Sequence, residues 1–175
     1  MRKRVLGLLL VSCLLLTAGC GDKENKETKK DEKQENIIKT ISCVNESEKS
    51  EIDKDDEGNT IMGIQGQKTE YKYDTKKNEL TEVTASVYVK FENASEDYIS
   101  KQAEEAKSTC DLFKDDDTMK NCEIKKDGDK VEVYMVADID NILDGEDISK
   151  TASFEDIEKY VKEEAKEDDL TCTIN

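Results

Sequence analysis

The sequence predicts an α+β fold, a single antiparallel sheet of about five strands with two helices packed on one face, in the order β-β-β-α-β-α-β. Three observations carry this. Two stretches, 83–92 and 131–139, alternate apolar and polar residues at the two-residue period of a half-buried strand. Two others repeat apolar residues at helical spacing. In residues 37–175, Ile and Val number 21 against 4 Leu, a bias toward strands around modest helices.

The elements follow in chain order. Ile37 to Val44 is a first strand with Ile41 and Cys43 on one face. Thr60 to Tyr73 is strand-like but its apolar phase changes from Met62/Ile64 to Tyr71/Tyr73. Gly63 and Gly66 would host a bulge at that switch. Asp74 to Glu79 is polar and turn-like, so segments 60–73 and 80–92 form a hairpin. In its second arm Val83, Ala85, Val87, Val89 and Phe91 oppose Thr84, Ser86, Tyr88, Lys90 and Glu92. Ile99, Ala103, Ala106, Cys110 and Phe113 stripe the first helix, which Asn93 or Ser95 caps. Cys122 opens the next strand, where Val131, Val133, Met135, Ala137 and Ile139 share a face. The second helix starts near Ser153, its N-cap, with Asp156 three residues on and Phe154, Ile157, Val161 and Ala165 as its apolar face. Leu170, Cys172 and Ile174 share a face of the last strand.

Composition removes several chemistries. The 175 residues contain 27 Lys+Arg, 43 Asp+Glu and no His, Pro or Trp, for a formal charge of −16. Without His there is no His-based triad, acid–base pair or metal site. A Ser nucleophile would need a Lys base, and no Gly-framed Ser is present. Paired carboxylates are not marked out, and Trp sugar platforms are absent. No catalytic residue is assigned, and the chain reads as a non-enzyme. Its acidity argues against nucleic acid as a partner.

The amino terminus reads as an address. Arg2, Lys3 and Arg4 precede the apolar run Val5 to Leu16, followed by the small residues Thr17, Ala18 and Gly19 and then Cys20. A run of about 12 residues is short of the roughly 20 that span a bilayer, and the layout is that of a secretory signal peptide. Leu16-Thr17-Ala18-Gly19-Cys20 resembles the lipobox of bacterial lipoproteins. That resemblance implies cleavage before Cys20, a diacylglyceryl group on its thiol, and an anchor of at least two acyl chains. Residues 1–19 are then the signal peptide, with Cys13 discarded in it. Residues 20–36 are the lipidated cysteine and a charged linker whose stretch 21–36 holds six acids, five Lys and no apolar residue. Residues 37–175 are the single α+β domain, with 19 Lys, no Arg and 37 acids, a net of −18.

Four cysteines remain, Cys43, Cys110, Cys122 and Cys172, an even number that reads as disulfides in an exported domain. Three connectivities are open. The favoured one is Cys110–Cys122, from a helix stripe to the next strand, with Cys43–Cys172, from the apolar faces of the first and last strands. Without a CxxC or a His, neither a zinc knuckle nor a thioredoxin-like pair is indicated, and no metal or cofactor is expected. Asp53, Asp55, Glu57 and Gly58 begin like a calcium loop, but Ile64 stands where its closing Glu is required. Asp115-Asp116-Asp117 and Asp138/Asp140/Asp144/Asp147 read as solvated loops.

The layout resembles the YehR-like family of small bacterial lipoproteins, a domain of unknown function. The likeness rests on the lipobox ending at Cys20, the charged linker and the early Ile41-Ser42-Cys43 strand. It extends to the hairpin on Tyr71-Lys72-Tyr73 and Val83 to Phe91, and to the late Leu170-Thr171-Cys172-Thr173 strand. The resemblance implies the Cys43–Cys172 pair and carries no catalytic residue or ligand. The resulting expectation is a monomeric, extracytoplasmic lipoprotein held to the cell membrane through lipid on Cys20. It would act as a non-enzymatic binding or interaction module of the envelope. The alternatives are a divalent-cation-responsive acidic surface protein and a substrate-capturing accessory of a transporter. The second would need an apolar or aromatic pocket, which six Tyr and three Phe leave little material to build.

Overall fold

The computed structural model describes residues 38–175. The expected signal peptide with Cys13, the expected lipid site Cys20, the expected linker and Ile37 lie outside the described residues. Within them, one antiparallel sheet of seven strands carries three helices, not the five strands and two helices expected. The strands are β1 (Ile38–Glu46), β2 (Ser50–Lys54), β3 (Thr60–Asp74), β4 (Glu79–Phe91), β5 (Met119–Asp127), β6 (Lys130–Ala137) and β7 (Thr171–Ile174). The helices are α1 (Glu96–Asp111), α2 (Ile139–Ile142) and α3 (Phe154–Glu167). The sheet runs β5-β6-β4-β3-β1-β7, and β2 pairs with β3 beyond the end of β1.

Three differences from the expected order have local causes. The single strand foreseen between the helices is a hairpin, β5 and β6. It turns at Gly128, whose φ of 56° suits a residue without Cβ. β2 is a short, mostly exposed edge strand without an alternating apolar signal. Ile139, expected to continue the strand of Ala137, instead starts α2. Asp138 caps that helix and accepts from the N–H groups of Asp140 and Asn141.

β3 also corrects the expected phase switch. Gly63 through Tyr71 pair with Phe91 through Val83 without interruption, and the bulge falls between Lys72 and Tyr73 instead. Ile61, not Met62, is the buried residue at the start of β3, so one face runs unbroken to Tyr71 and Tyr73. The two glycines serve close approach. A Cβ on Gly66 would lie 2.4 Å from Cζ of Tyr88, and one on Gly63 would lie 2.6 Å from the carbonyl oxygen of Lys90.

Both longer helices cover the same face. Ile41, Tyr71, Val83 and Ala137 pack with Ile157, Val161 and Ala165 of α3. Val89, Phe91 and Val131 pack with Ile99, Ala103 and Ala106 of α1. Val83, Val89 and Phe91 have the same parity on an unbroken strand, so the two clusters lie side by side. Ser95 caps α1 and accepts from Tyr98 N–H at 3.2 Å, while Asn93 instead ties Met62 and Thr60 to the end of β4. Ser153 caps α3 and accepts from Asp156 N–H at 3.2 Å. α1 ends before Phe113, which leaves the stripe one turn shorter than expected.

Candidate functional site

A single row of facing residues organises the helix-covered side. Cys172, Cys43, Thr69, Ala85, Met135 and Cys122 stand opposite one another across β7, β1, β3, β4, β6 and β5. Disulfides close both ends. Cys43 is bonded to Cys172 on the neighbouring strand, and Cys122 to Cys110 of α1, the same two pairs favoured from the sequence. The bridges therefore pin β7 to β1 and α1 to β5.

Between them the row carries the small side chains of Thr69 and Ala85 beside Met135, with Val161 and Ala165 of α3 bordering it and no residue of α1 doing so. An apolar cleft remains there. Its floor is Thr69, Ala85, Val87 and Met135, and its walls are Tyr71, Val83, Ala137, Ile142, Val161, Ala165 and Leu170. Its enclosed room is about 40 Å³, and beyond that it opens to solvent. Glu164 on the last turn of α3 and Asp168, which caps the end of that helix, stand at its edge. Asp168 is held above the ordinary carboxylate range, first by partial burial and then by its neighbours Glu167 and Asp169. Tyr71 titrates above its usual range because it is buried.

The cleft inverts the expected exposure of β4. Ala85, Val87 and Val89, on the apolar face, are only half-buried. Thr84 and Ser86, expected to face water, are 3% and 5% exposed. On that helix-free face the small hydroxyl residues lie among long side chains that pair above them, including Lys72 with Glu82 at 2.6 Å and Lys68 with Glu70 at 2.9 Å. Tyr88 lies over Gly66 and donates its hydroxyl proton to Glu46 of β1.

The acidic clusters singled out in the sequence are drawn into local turns. Asp53 accepts from Tyr98 Oη at 2.6 Å, which links β2 to α1, and from Lys54 N–H at 2.8 Å. Those bonds hold its carboxyl below the usual range. Asp55 closes its own loop by accepting from the Asn59 side chain and backbone and from Glu57 N–H, and is likewise lowered. Asp116 accepts from Thr118 N–H, Asp138 caps α2, and Asp140 pairs with Lys150 at 2.6 Å. Among the described residues no three His, Cys, Asp or Glu side chains converge on a metal position.

The cleft was not legible beforehand, because the alternation around Ala85 reads as continuous core. Its available signal was a small residue amid Val83, Val87 and Val89, opposite Thr69. The expectation that six Tyr and three Phe leave little material for an apolar or aromatic pocket is corrected as well, since aliphatic side chains and one Met build most of this one. Compared with family models, with curated proteins and with solved structures, the chain matches none.

Proposed function

We propose that this chain is a lipid-anchored, extracytoplasmic binding module of the cell envelope, tethered through Cys20, that receives its partner in the cleft between the sheet and α3. The observation that carries the binding role is the apolar cleft itself, an opening of the core on a face flanked by two disulfide-fixed elements. The lining supports binding rather than turnover. Its one cysteine is in a disulfide, the Thr69 hydroxyl has no imidazole base in this sequence, Lys68 is paired with Glu70, and the carboxylates stand at the edge. The lipobox resemblance supports the anchor, and the two disulfides fit an oxidising compartment.

The anchor is tested by fractionating cells that express Cys20→Ala. Unprocessed, unlipidated chain is the expected product. Normal processing with membrane retention would remove the lipoprotein reading. Turnover of envelope glycans or peptides by the purified chain, abolished by one carboxylate substitution, would replace the binding reading with an enzymatic one.

A further inference from the structure

We propose, on the binding-module reading, that the cleft takes a cationic amphipathic peptide segment, with aliphatic side chains on the Ala85–Val87 floor and Lys or Arg against Glu164 and Asp168. Size comes first. Sites for whole small molecules run to about 300–1,000 Å³, whereas about 40 Å³ is enclosed here. That room admits the tip of an aliphatic side chain, and the open trough leads away from it. A chain bearing successive side chains uses such a shape better than a compact cofactor does.

Charge selects the sign of the partner. α1 carries five acids against Lys101 and Lys107. From Phe154 to Asp169 there are eight acids against Lys159, Lys162 and Lys166. The helix-free face instead interleaves Lys68, Glu70, Lys72, Glu82, Lys125 and Glu132. Of these Lys68 also borders the cleft, but its ammonium is paired with Glu70 at 2.9 Å. Negative potential is therefore concentrated on the side where the cleft opens, and it favours the approach of a cation. The raised titration of Asp168 is in keeping with this, because a bound ammonium or guanidinium would offset Glu167 and Asp169. Other occupants fit less well. A second copy brings another strongly acidic surface, an anionic lipid or nucleic acid is repelled, and residues 21–36 of this chain hold no apolar side chain.

The test uses the full chain in phosphatidylcholine nanodiscs, with empty discs subtracted. Four labelled helical peptides of equal length are titrated, made of Leu/Lys, Leu/Ser, Lys/Ser and Leu/Glu. The expected result is tightest binding of Leu/Lys, weakened about tenfold by Ala85→Leu, which fills the floor, and several-fold by Asp168→Lys at the edge. Should Ala85→Leu not fold, Asp168→Lys, on a half-exposed helix end, still decides the matter. Equal binding of Lys/Ser, or Leu/Lys binding unchanged in the folded variants, would overturn the cleft as the site. Equal binding of Leu/Ser and Leu/Lys, both lost on Ala85→Leu, would overturn the cationic partner and leave the binding module standing. Binding of none of the four would overturn both.

Discussion

Gly63 and Gly66 are required by what stands over them rather than by their backbone angles. A Cβ at Gly63 would meet the Ile52 side chain at 2.3 Å and the Lys90 carbonyl oxygen at 2.6 Å. The first can swing away, but the second belongs to the paired strand and cannot. At Gly66 the obstacle is the Tyr88 ring, which can rotate off at the loss of its hydrogen bond to Glu46. Gly63→Ala should therefore cost about 1–3 kcal/mol, and more than Gly66→Ala, in urea denaturation. Adding Ile52→Ala should recover only part of the loss. Equal costs at the two glycines would show that the strand backbone yields as easily as a ring. Asp168 gives a pH prediction of definite sign. Its folded-state titration is raised above the ordinary 3.8, so the fold disfavours its charged form. The cost is fully present at pH 7, falls as pH drops through the raised value, and is gone below the unfolded one. Asp168→Asn should raise the melting temperature at pH 7 and leave it unchanged near pH 3. Asp53 and Asp55 act in the opposite direction. Their lowered carboxyls stabilise the fold above the ordinary 3.8, and that stabilisation is lost as acid protonates them. A melt of the Asp168→Asn variant that tracks the parent across the whole range would refute the assignment.

At the level of elements, the two bridges do unequal work. β7 has four residues and pairs with β1 alone, so the Cys43–Cys172 bond is a large part of its attachment. It also closes a separation of 129 residues, against 12 for Cys110–Cys122. Chain entropy assigns about 5 kcal/mol to the long loop and about 3 kcal/mol to the short one. Replacing Cys43 and Cys172 by Ala should therefore destabilise the protein more than replacing Cys110 and Cys122. It should also speed amide exchange first in β7 and then in the Leu170 wall of the cleft. A reversed ranking would mean that α1, not β7, is the weakly held element. Strong period-two alternation placed β4 and β6, and the apolar stripes with Ser95 and Ser153 placed α1 and α3, because these signals are local and repeated. Inward-facing Cys43 and Cys172 pointed to a pairing that the β1–β7 register satisfies directly. β2 went unseen because five residues with one apolar side chain give no pattern. The β5–β6 turn was marked by Gly128-Asp129, a two-residue hairpin signal that a strand with Lys120, Lys125 and Lys126 on an exposed edge did not reinforce. The cleft is lined from four strands, α2, α3 and the segment before β7, and no single segment encodes that.

For the whole molecule, the decisive quantity is where the charge sits. Residues 37–175 carry −18, and the helix layer holds an excess of acids while the opposite face alternates Lys with Glu. Such a layer repels itself, so the compact state is destabilised at low ionic strength and recovers as salt screens it. The many surface ion pairs offset little of this, since exposed pairs are each worth about 0–1 kcal/mol. Raising NaCl from about 10 mM, where the Debye length is about 30 Å, to about 150 mM, where it is about 8 Å, should raise the melting temperature. Matched ionic strength in CaCl₂ should give the same rise, because Asp53, Asp55, Asp116 and Asp138 each accept from neighbouring N–H groups, and Asp53 and Asp116 from a hydroxyl as well. A calcium effect well beyond the sodium one would instead establish a divalent-cation site on these loops and revive the cation-responsive alternative. The same screening should act in the opposite direction on partner capture. Salt that steadies the fold removes the field that draws a cationic segment to the cleft, so Leu/Lys peptide affinity should fall over the range in which the melting temperature climbs. Affinity that rose with salt would mean that apolar contact alone holds the peptide and that the acidic helix layer only keeps the protein apart from its own copies.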